Sequence, residues 1–320
     1  MTSSSGPETR PETVRSVAGA LAAVGLAAGR VTPLFGGYGG ETFRVTTQVG
    51  ELVVKVRSDV RPLAVTRTAS HLLSGRGLPH QDVVVPPTWT PAGWLIAVRW
   101  IDGHDLSHEP ISGWSTEQAT RLGGDLGAWL SRMHSIRAPG RDWLGMADRR
   151  FTAKLRHGAA RGHLATGLVV QLEDFWQRVR PALDGAPVAL VHRDLWAGNV
   201  VVRDGLFAAV IDLEKARLAD PLYDMVKITE LVLRLHPVLG AAFREAYGLD
   251  TECPDVRDRL AAVFALEYLS AVVYFDTRGD QVMVADQCDR LARLLRRPFD
   301  AMTAGQTVHG TREPPPQRLR

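Results

Sequence analysis

The feature that most constrains this chain is one block, Leu190-Val191-His192-Arg193-Asp194-Leu195-Trp196-Ala197-Gly198-Asn199, with its echo Val210-Ile211-Asp212-Leu213-Glu214. An apolar strand ends in a turn that presents Asp194 and Asn199. A second strand, Phe207 to Ile211, then delivers Asp212. One carboxylate is free to take a proton from an alcohol. A second carboxylate and an amide oxygen can hold Mg²⁺. These are the parts of a phosphoryl-transfer site, and H-R-D-x-x-x-x-N is a kinase-loop spacing. Asp, Gly and Asn are also ordinary turn residues between hairpin strands, so the order of the blocks carries more weight than any one of them.

Three linked blocks, each following an apolar run, carry a resemblance. They are His192 to Asn199, then Ile211-Asp212-Leu213-Glu214-Lys215-Ala216, then Ala219-Asp220-Pro221-Leu222-Tyr223-Asp224. At these residues the chain resembles the aminoglycoside phosphotransferase and choline kinase-like family of small-molecule kinases. The resemblance implies an α+β, protein-kinase-like bilobal fold, with a small antiparallel-sheet N-lobe and a larger, mostly helical C-lobe. It implies ATP and Mg²⁺ as cofactors, with Asp194 as the catalytic acceptor of the hydroxyl proton and Asn199 and Asp212 as metal ligands.

Composition is compatible with this. The 320 residues suffice for two lobes and a sizeable core. At 45% hydrophobic and 23% charged, the chain reads as soluble and globular. The net charge of +3 is small, and three Arg against one Glu in residues 301–320 place much of it in the tail. No basic patch with interleaved aromatics points to nucleic acid, and no apolar run is long enough to span a bilayer. Cys253 and Cys288 lack metal spacing and read as buried thiols in a reducing, cytoplasmic setting. The sequence leaves the oligomeric state open.

Along the chain, residues 1–11 read as a disordered N-terminus, 12–102 as the nucleotide-binding N-lobe, 103–300 as the C-lobe and 301–320 as a disordered tail. Thr13 to Ala28 has helical spacing and Val31 to Phe35 reads as a strand. Gly36-Gly37-Tyr38-Gly39-Gly40 follows, before a strand from Thr42 to Thr47. A Gly-rich hairpin lets backbone N–H groups approach phosphates. Gly36, Gly37, Gly39 and Gly40 sit where the family's phosphate-covering loop belongs, although the run fits neither a Walker loop nor G-x-G-x-x-G.

Lys55 lies inside the apolar strand Glu51 to Arg57 and reads as the Lys that reaches the α- and β-phosphates. Arg57 shares its face and is the substitute if the register shifts. In the family a helix after this strand carries a Glu that pairs with the Lys. Residues 60–81 contain no acid, and the helix expected over Leu63 to Ser74 offers none. Asp59 or Glu41 could take the role; otherwise only the nucleotide holds Lys55. By resemblance, Val98 to Asp102 is the hinge, with Val98 and Trp100 near adenine.

Further on, helices are expected over Thr116 to Ile136, Leu168 to Leu183, Pro221 to Leu235, Leu239 to Tyr247, Val256 to Phe275 and Val282 to Leu295. Residues 137–165 read as irregular and basic. His134 reads as structural. Arg193 stands where most of the family has Gly and reads as a contact to a carboxylate or to backbone. Trp196 reads as core or as a stacking surface for substrate. Glu214 is either a further acid near the metal or a cap, and Asp220 and Asp224 anchor a helix start.

Only eight residues separate Asp212 from Pro221, and no Ala-Pro-Glu follows. That is too short to dock a peptide and argues for a small-molecule acceptor. The C-terminal helices carry Asp255, Asp258, Glu267, Asp276, Asp280, Asp286 and Asp289. Asp276 and Asp280 bracket a plausible loop and are the candidate substrate carboxylates for a cationic aminoglycoside or aminocyclitol, in antibiotic resistance or antibiotic biosynthesis. The alternatives are a metabolic kinase of fructosamine, choline or a similar alcohol, and a catalytically weak nucleotide-binding protein.

Overall fold

The computed structural model describes residues 11–34 and 40–296. Gly36, Gly37 and Gly39 lie outside the described residues, as do 1–10 and the tail from 297. In chain order the elements are α1 (Pro11–Ala23), β1 (Ala28–Pro33), β2 (Glu41–Thr47), β3 (Gly50–Arg57), α2 (Arg61–Ser74), β4 (Val83–Thr90), β5 (Gly93–Arg99) and β6 (His104–Asp105). Then come α3 (Thr116–His134), α4 (Trp143–Ala160), α5 (Thr166–Val179), β7 (Ala189–Val191), β8 (Val200–Arg203), β9 (Leu206–Val210) and β10 (Arg217–Ala219). Four helices close the described chain: α6 (Met225–Leu231), α7 (Pro237–Tyr247), α8 (Pro254–Asp276) and α9 (Gln281–Arg296). These elements divide into two compact units. Residues 11–34, 40–108 and 198–216 form the first, and 109–197 with 217–296 form the second.

The first unit is built on an antiparallel sheet of order β1-β2-β3-β5-β4. Its central strand β3 is buried on both faces because alternate residues serve two cores. Leu52, Val54 and Val56 pack with Val17 and Leu21 of α1 and with Phe43, Val45, Leu95 and Ala97. Val53 packs on the other side with Leu63 of α2, Ile96 and Val98. Lys55 and Arg57 share the face of Val53, so two cations enter a buried face and need partners there. The hairpin β8–β9 belongs to this unit: β8 pairs with β6, and His80 bridges to Val210.

Gly40 has a local reason to be glycine. Its φ is +141°, and a Cβ would stand 2.3 Å from the Val56 carbonyl oxygen.

The second unit is mostly helical. A capping box opens α3, with Ser115 accepting from Gln118 N and Gln118 accepting from Ser115 N. Gly123 and Gly127 let α7 approach α3 closely; a Cβ on either would meet a backbone carbonyl of α7 at 2.5 Å or less. Residues 143–160, expected to be irregular, form the helix α4. Its stripe is Trp143, Ala147, Phe151, Leu155 and Gly158, and Asp142 caps it by accepting from Gly145 N. Arg149, Arg150 and Arg156, interspersed with this stripe, hide it from a composition-based reading. Cys253 and Cys288 are free and half-buried rather than buried. Among the described residues no helix is long and apolar enough to cross a membrane.

Candidate active site

In the first unit, Lys55 is almost wholly buried and meets two carboxylates. Its Nζ lies 2.8 Å from Asp212 Oδ1 and 2.9 Å from Glu214 Oε1. Arg57 grips Glu214 with a fork, Nη2 to Oε1 at 2.8 Å and Nε to Oε2 at 3.2 Å. The acid missing from α2 is therefore supplied by Glu214. Neither residue expected for the role fills it. Asp59 accepts from the backbone and side chain of Arg61, and the Glu41 carboxylate accepts from Thr13. Burial alone would lower the pKa of Lys55, but the charges of Asp212 and Glu214 outweigh it and the net shift is upward. Lys55 stays an ammonium.

The chain delivers Asp212 and Glu214 by a short device. Val200 pairs with Val210 at the end of the β8–β9 hairpin, and Ile211 N donates to Asn199 O at 3.0 Å. Asn199 and Asp212 thus sit at the same hairpin end. Asp212 adopts the left-handed conformation, φ +64° and ψ +69°, and a 3-10 turn over Leu213–Lys215 follows. The left-handed residue reverses the chain, so Asp212 and Glu214 both reach Lys55. This turn packs on α2, which brings Glu214 to the face where a helix acid would stand. Carboxylate and amide oxygens suit Mg²⁺, which takes one or two protein carboxylates and completes its shell with phosphates and water. Among the described residues no cluster of three or more His, Cys, Asp or Glu holds a metal by itself.

In the second unit, Asp194 sits in a loop held by Asp224. The Asp224 carboxylate accepts from His192 N at 2.7 Å and Arg193 N at 2.5 Å, and it faces His134 Nε2 at 3.0 Å. Burial alone would raise the Asp224 pKa, but the hydrogen bond and charge of His134, then the contacts to His192, hold it below the ordinary carboxylate range. Arg193 has φ +66°, a conformation natural to Gly. Lys227 of α6 reaches Asp194 Oδ1 at 2.5 Å. Sequence reasoning missed Lys227; the signal was a lysine set among the buried residues Met225, Val226, Ile228 and Thr229. His134 is structural, pairing Asp224 on one ring nitrogen and Tyr247 Oη on the other at 2.8 Å. Asp220 caps its turn by accepting from Leu222 N and receives a fork from Arg259.

Val98 is fully buried in the sheet, opposite Val53 and Val83. Trp100 N donates to Glu51 O at 3.0 Å, so that N–H is already used, and Arg44 stacks over the Trp100 ring at 4.0 Å. Asp276 is not an open carboxylate. It is 9% exposed and meets His157 Nε2 at 2.9 Å, Arg161 Nε at 3.1 Å and His163 Nε2 at 2.7 Å. Hydrogen bonds from Arg161, His163 and His157 hold its pKa well below the ordinary range. Asp280 is exposed and accepts from Met283 N at the start of α9.

These arrangements belong to a known group. The model of the phosphotransferase enzyme family matches residues 30–263. The chain belongs to this family, and it is a small-molecule kinase with a hydroxyl acceptor. It is similar in fold to ADP-bound aminoglycoside phosphotransferase APH(2'')-Ib, at 16% identity and TM-score 0.69, covering 91% of this chain and 99% of that one. It is likewise similar to APH(2'')-IIa in its gentamicin complex, at 16% and 0.68, covering 90% and 97%. Macrolide 2'-phosphotransferase MphH from Brachybacterium faecium follows at 19% and 0.59, covering 88% and 98%. No curated protein matches the sequence.

Proposed function

We propose that the chain transfers the γ-phosphoryl of ATP to a hydroxyl of an aminoglycoside or aminocyclitol. The observation that carries the nucleotide half is the buried Lys55 paired with Asp212 and Glu214, at the hairpin end that holds Asn199. Lys55 steadies the α- and β-phosphates. Asn199 and Asp212 would hold Mg²⁺, which supplies charge stabilisation to phosphate oxygens when bound. Asp194 orients the acceptor hydroxyl and takes its proton as the new O–P bond forms and the bond to ADP breaks. Catalysis of this kind is mainly positioning and charge stabilisation. Gly40 and the loop before it would cover the phosphates.

For the acceptor, the support is chemical. Asp255, Asp258, Asp280 and Asp289 are exposed on α8, α9 and their connection, and exposed carboxylates favour a polycationic substrate. Gentamicin, named with one structural neighbour, is such a compound. Consumption of ATP suits a cytoplasmic enzyme, in resistance to or biosynthesis of such a compound. The test is Mg²⁺-dependent ADP release from ATP against a panel of aminoglycosides, aminocyclitols, macrolides, fructosamines and choline. Turnover is expected with an amino-sugar class and is abolished in Asp194→Ala, which still binds ATP. Turnover with another class alone overturns the acceptor assignment, and an active Asp194→Ala overturns the role of Asp194.

A further inference from the structure

The second unit gathers cations that phosphoryl transfer does not use. Arg150 and Lys154 stand one helical turn apart on α4, Arg193 precedes Asp194, and Arg217 opens β10. Two of them lie over the ring of Tyr223. The Arg193 guanidinium lies 4.5 Å from its centroid and that of Arg150 lies 5.7 Å away. Glu267 pairs inside the group, with Arg193 Nη2 at 2.7 Å. Four cations thus outnumber the two acids, Glu267 and Asp224, whose charges act on Arg193. Two buried donors point to the same deficit: the Tyr223 hydroxyl, in a residue 2% exposed, and Arg193 Nε have no hydrogen-bond partner.

The crowding leaves an electrostatic trace. Desolvation and the charges of Arg150 and Arg193 lower the pKa of Lys154. Desolvation, then the charges of Arg193 and Arg150, push Arg217 down to about 10. Like charges held together cost free energy that an anion shared among them returns. Buried donors without acceptors add to that cost.

We propose that Arg150, Lys154, Arg193 and Arg217, with the Tyr223 hydroxyl, form a binding site for a tetrahedral oxyanion of the phosphate class. A dianion offsets most of the excess charge, which an acetate-like monoanion does not. Its several oxygens suit guanidinium forks, which pair phosphate in parallel hydrogen bonds. Tyr223 Oη and Arg193 Nε gain the acceptor they lack. Arg217 keeps solvent contact, which gives the ligand an approach. The site lies wholly in the second unit, whereas Lys55, Asn199 and Asp212 belong to the first.

The test is calorimetric titration of the full chain with inorganic phosphate at constant ionic strength, with sulfate and acetate as parallel arms. Wild type is expected to bind phosphate and sulfate saturably and acetate at least about tenfold more weakly. The double variant Arg150→Gln/Arg217→Gln should lose at least about tenfold in phosphate affinity, while Lys55→Ala binds as wild type. If the double variant does not fold, Lys154→Gln alone serves, with a weaker phosphate affinity expected. No saturable phosphate binding overturns the proposal, as does equal binding of acetate. Loss of binding in Lys55→Ala, or wild-type affinity in the cation variants, overturns it too. Phosphotransfer is read separately by ADP release, so the two readings fail independently.

Discussion

Glu214 Oε1 stands 2.9 Å from Lys55 Nζ and 2.8 Å from Arg57 Nη2, so one carboxylate ties together two buried cations of a single strand face. In this chain the acid that holds Lys55 follows Asp212 by two residues instead of coming from the helix after the Lys55 strand. Glu214→Gln keeps the shape and removes the charge. Loss of a charge-assisted hydrogen bond should lower kcat/KM for ATP by about tenfold to a hundredfold. The melting temperature should fall as well, because Arg57 is left buried with a weaker partner. Steady-state kinetics and thermal unfolding read the two effects separately.

The converse holds for the acids that do not reach Lys55. Asp59 serves Arg61, and the Glu41 carboxylate serves Thr13. Asp59→Asn and Glu41→Gln should each leave turnover within about twofold of wild type. A tenfold loss of turnover in either would return that acid to the lysine.

Lys227 fixes the candidate base from within its own unit, 2.5 Å from Asp194 Oδ1. The Lys55–Asp212 pair belongs to the first unit. Lys227→Met should therefore lower kcat by about tenfold to a hundredfold while KM for ATP changes by about twofold or less. Lys227→Arg should recover part of the loss. Kinetics at saturating acceptor decide between this split and a general loss of folding.

Much of this was legible in the sequence because it is local. The order of blocks from His192 to Asp224 led to the fold, and a lysine inside the apolar run of β3 led to Lys55. The partner of Lys55 was not legible, since Glu214 is 159 positions away and reaches the lysine only after Asp212 turns left-handed. Lys227 was missed for a similar reason: its acceptor lies across the packing of α6. Asp276 read as an open loop carboxylate because His157, Arg161 and His163 come from the region around α4, which the sequence had suggested was irregular. The helix α4 was hidden by its own arginines, and with it the cation group around Tyr223.

Gly40 was expected to serve phosphate, and the fold gives it a second duty. Its φ of +141° and the Val56 carbonyl 2.3 Å from a would-be Cβ leave no room for a side chain. Gly40→Ala should cost about 1–3 kcal/mol of stability whether or not nucleotide is present. Denaturant unfolding with and without ATP checks this. Full stability with impaired ATP binding would assign Gly40 to the nucleotide alone.

Asp224 makes the loop of Asp194 sensitive to acid. Its folded pKa is depressed by His134 and by the His192 contacts. A depressed carboxylate contributes stability that is fully present above its unfolded pKa, about 3.9. That contribution is lost as pH falls through the lower folded value. Wild type should thus lose stability progressively below about pH 4. Asp224→Asn lacks this titration and leaves His134 without its anionic partner, so it should be about 3 kcal/mol or more less stable at pH 7. Its stability should also depend less steeply on pH over the acid range. Chemical denaturation of both proteins from pH 7 down to about pH 3 measures the difference. Parallel curves for the two proteins would show that Asp224 is not the group that titrates.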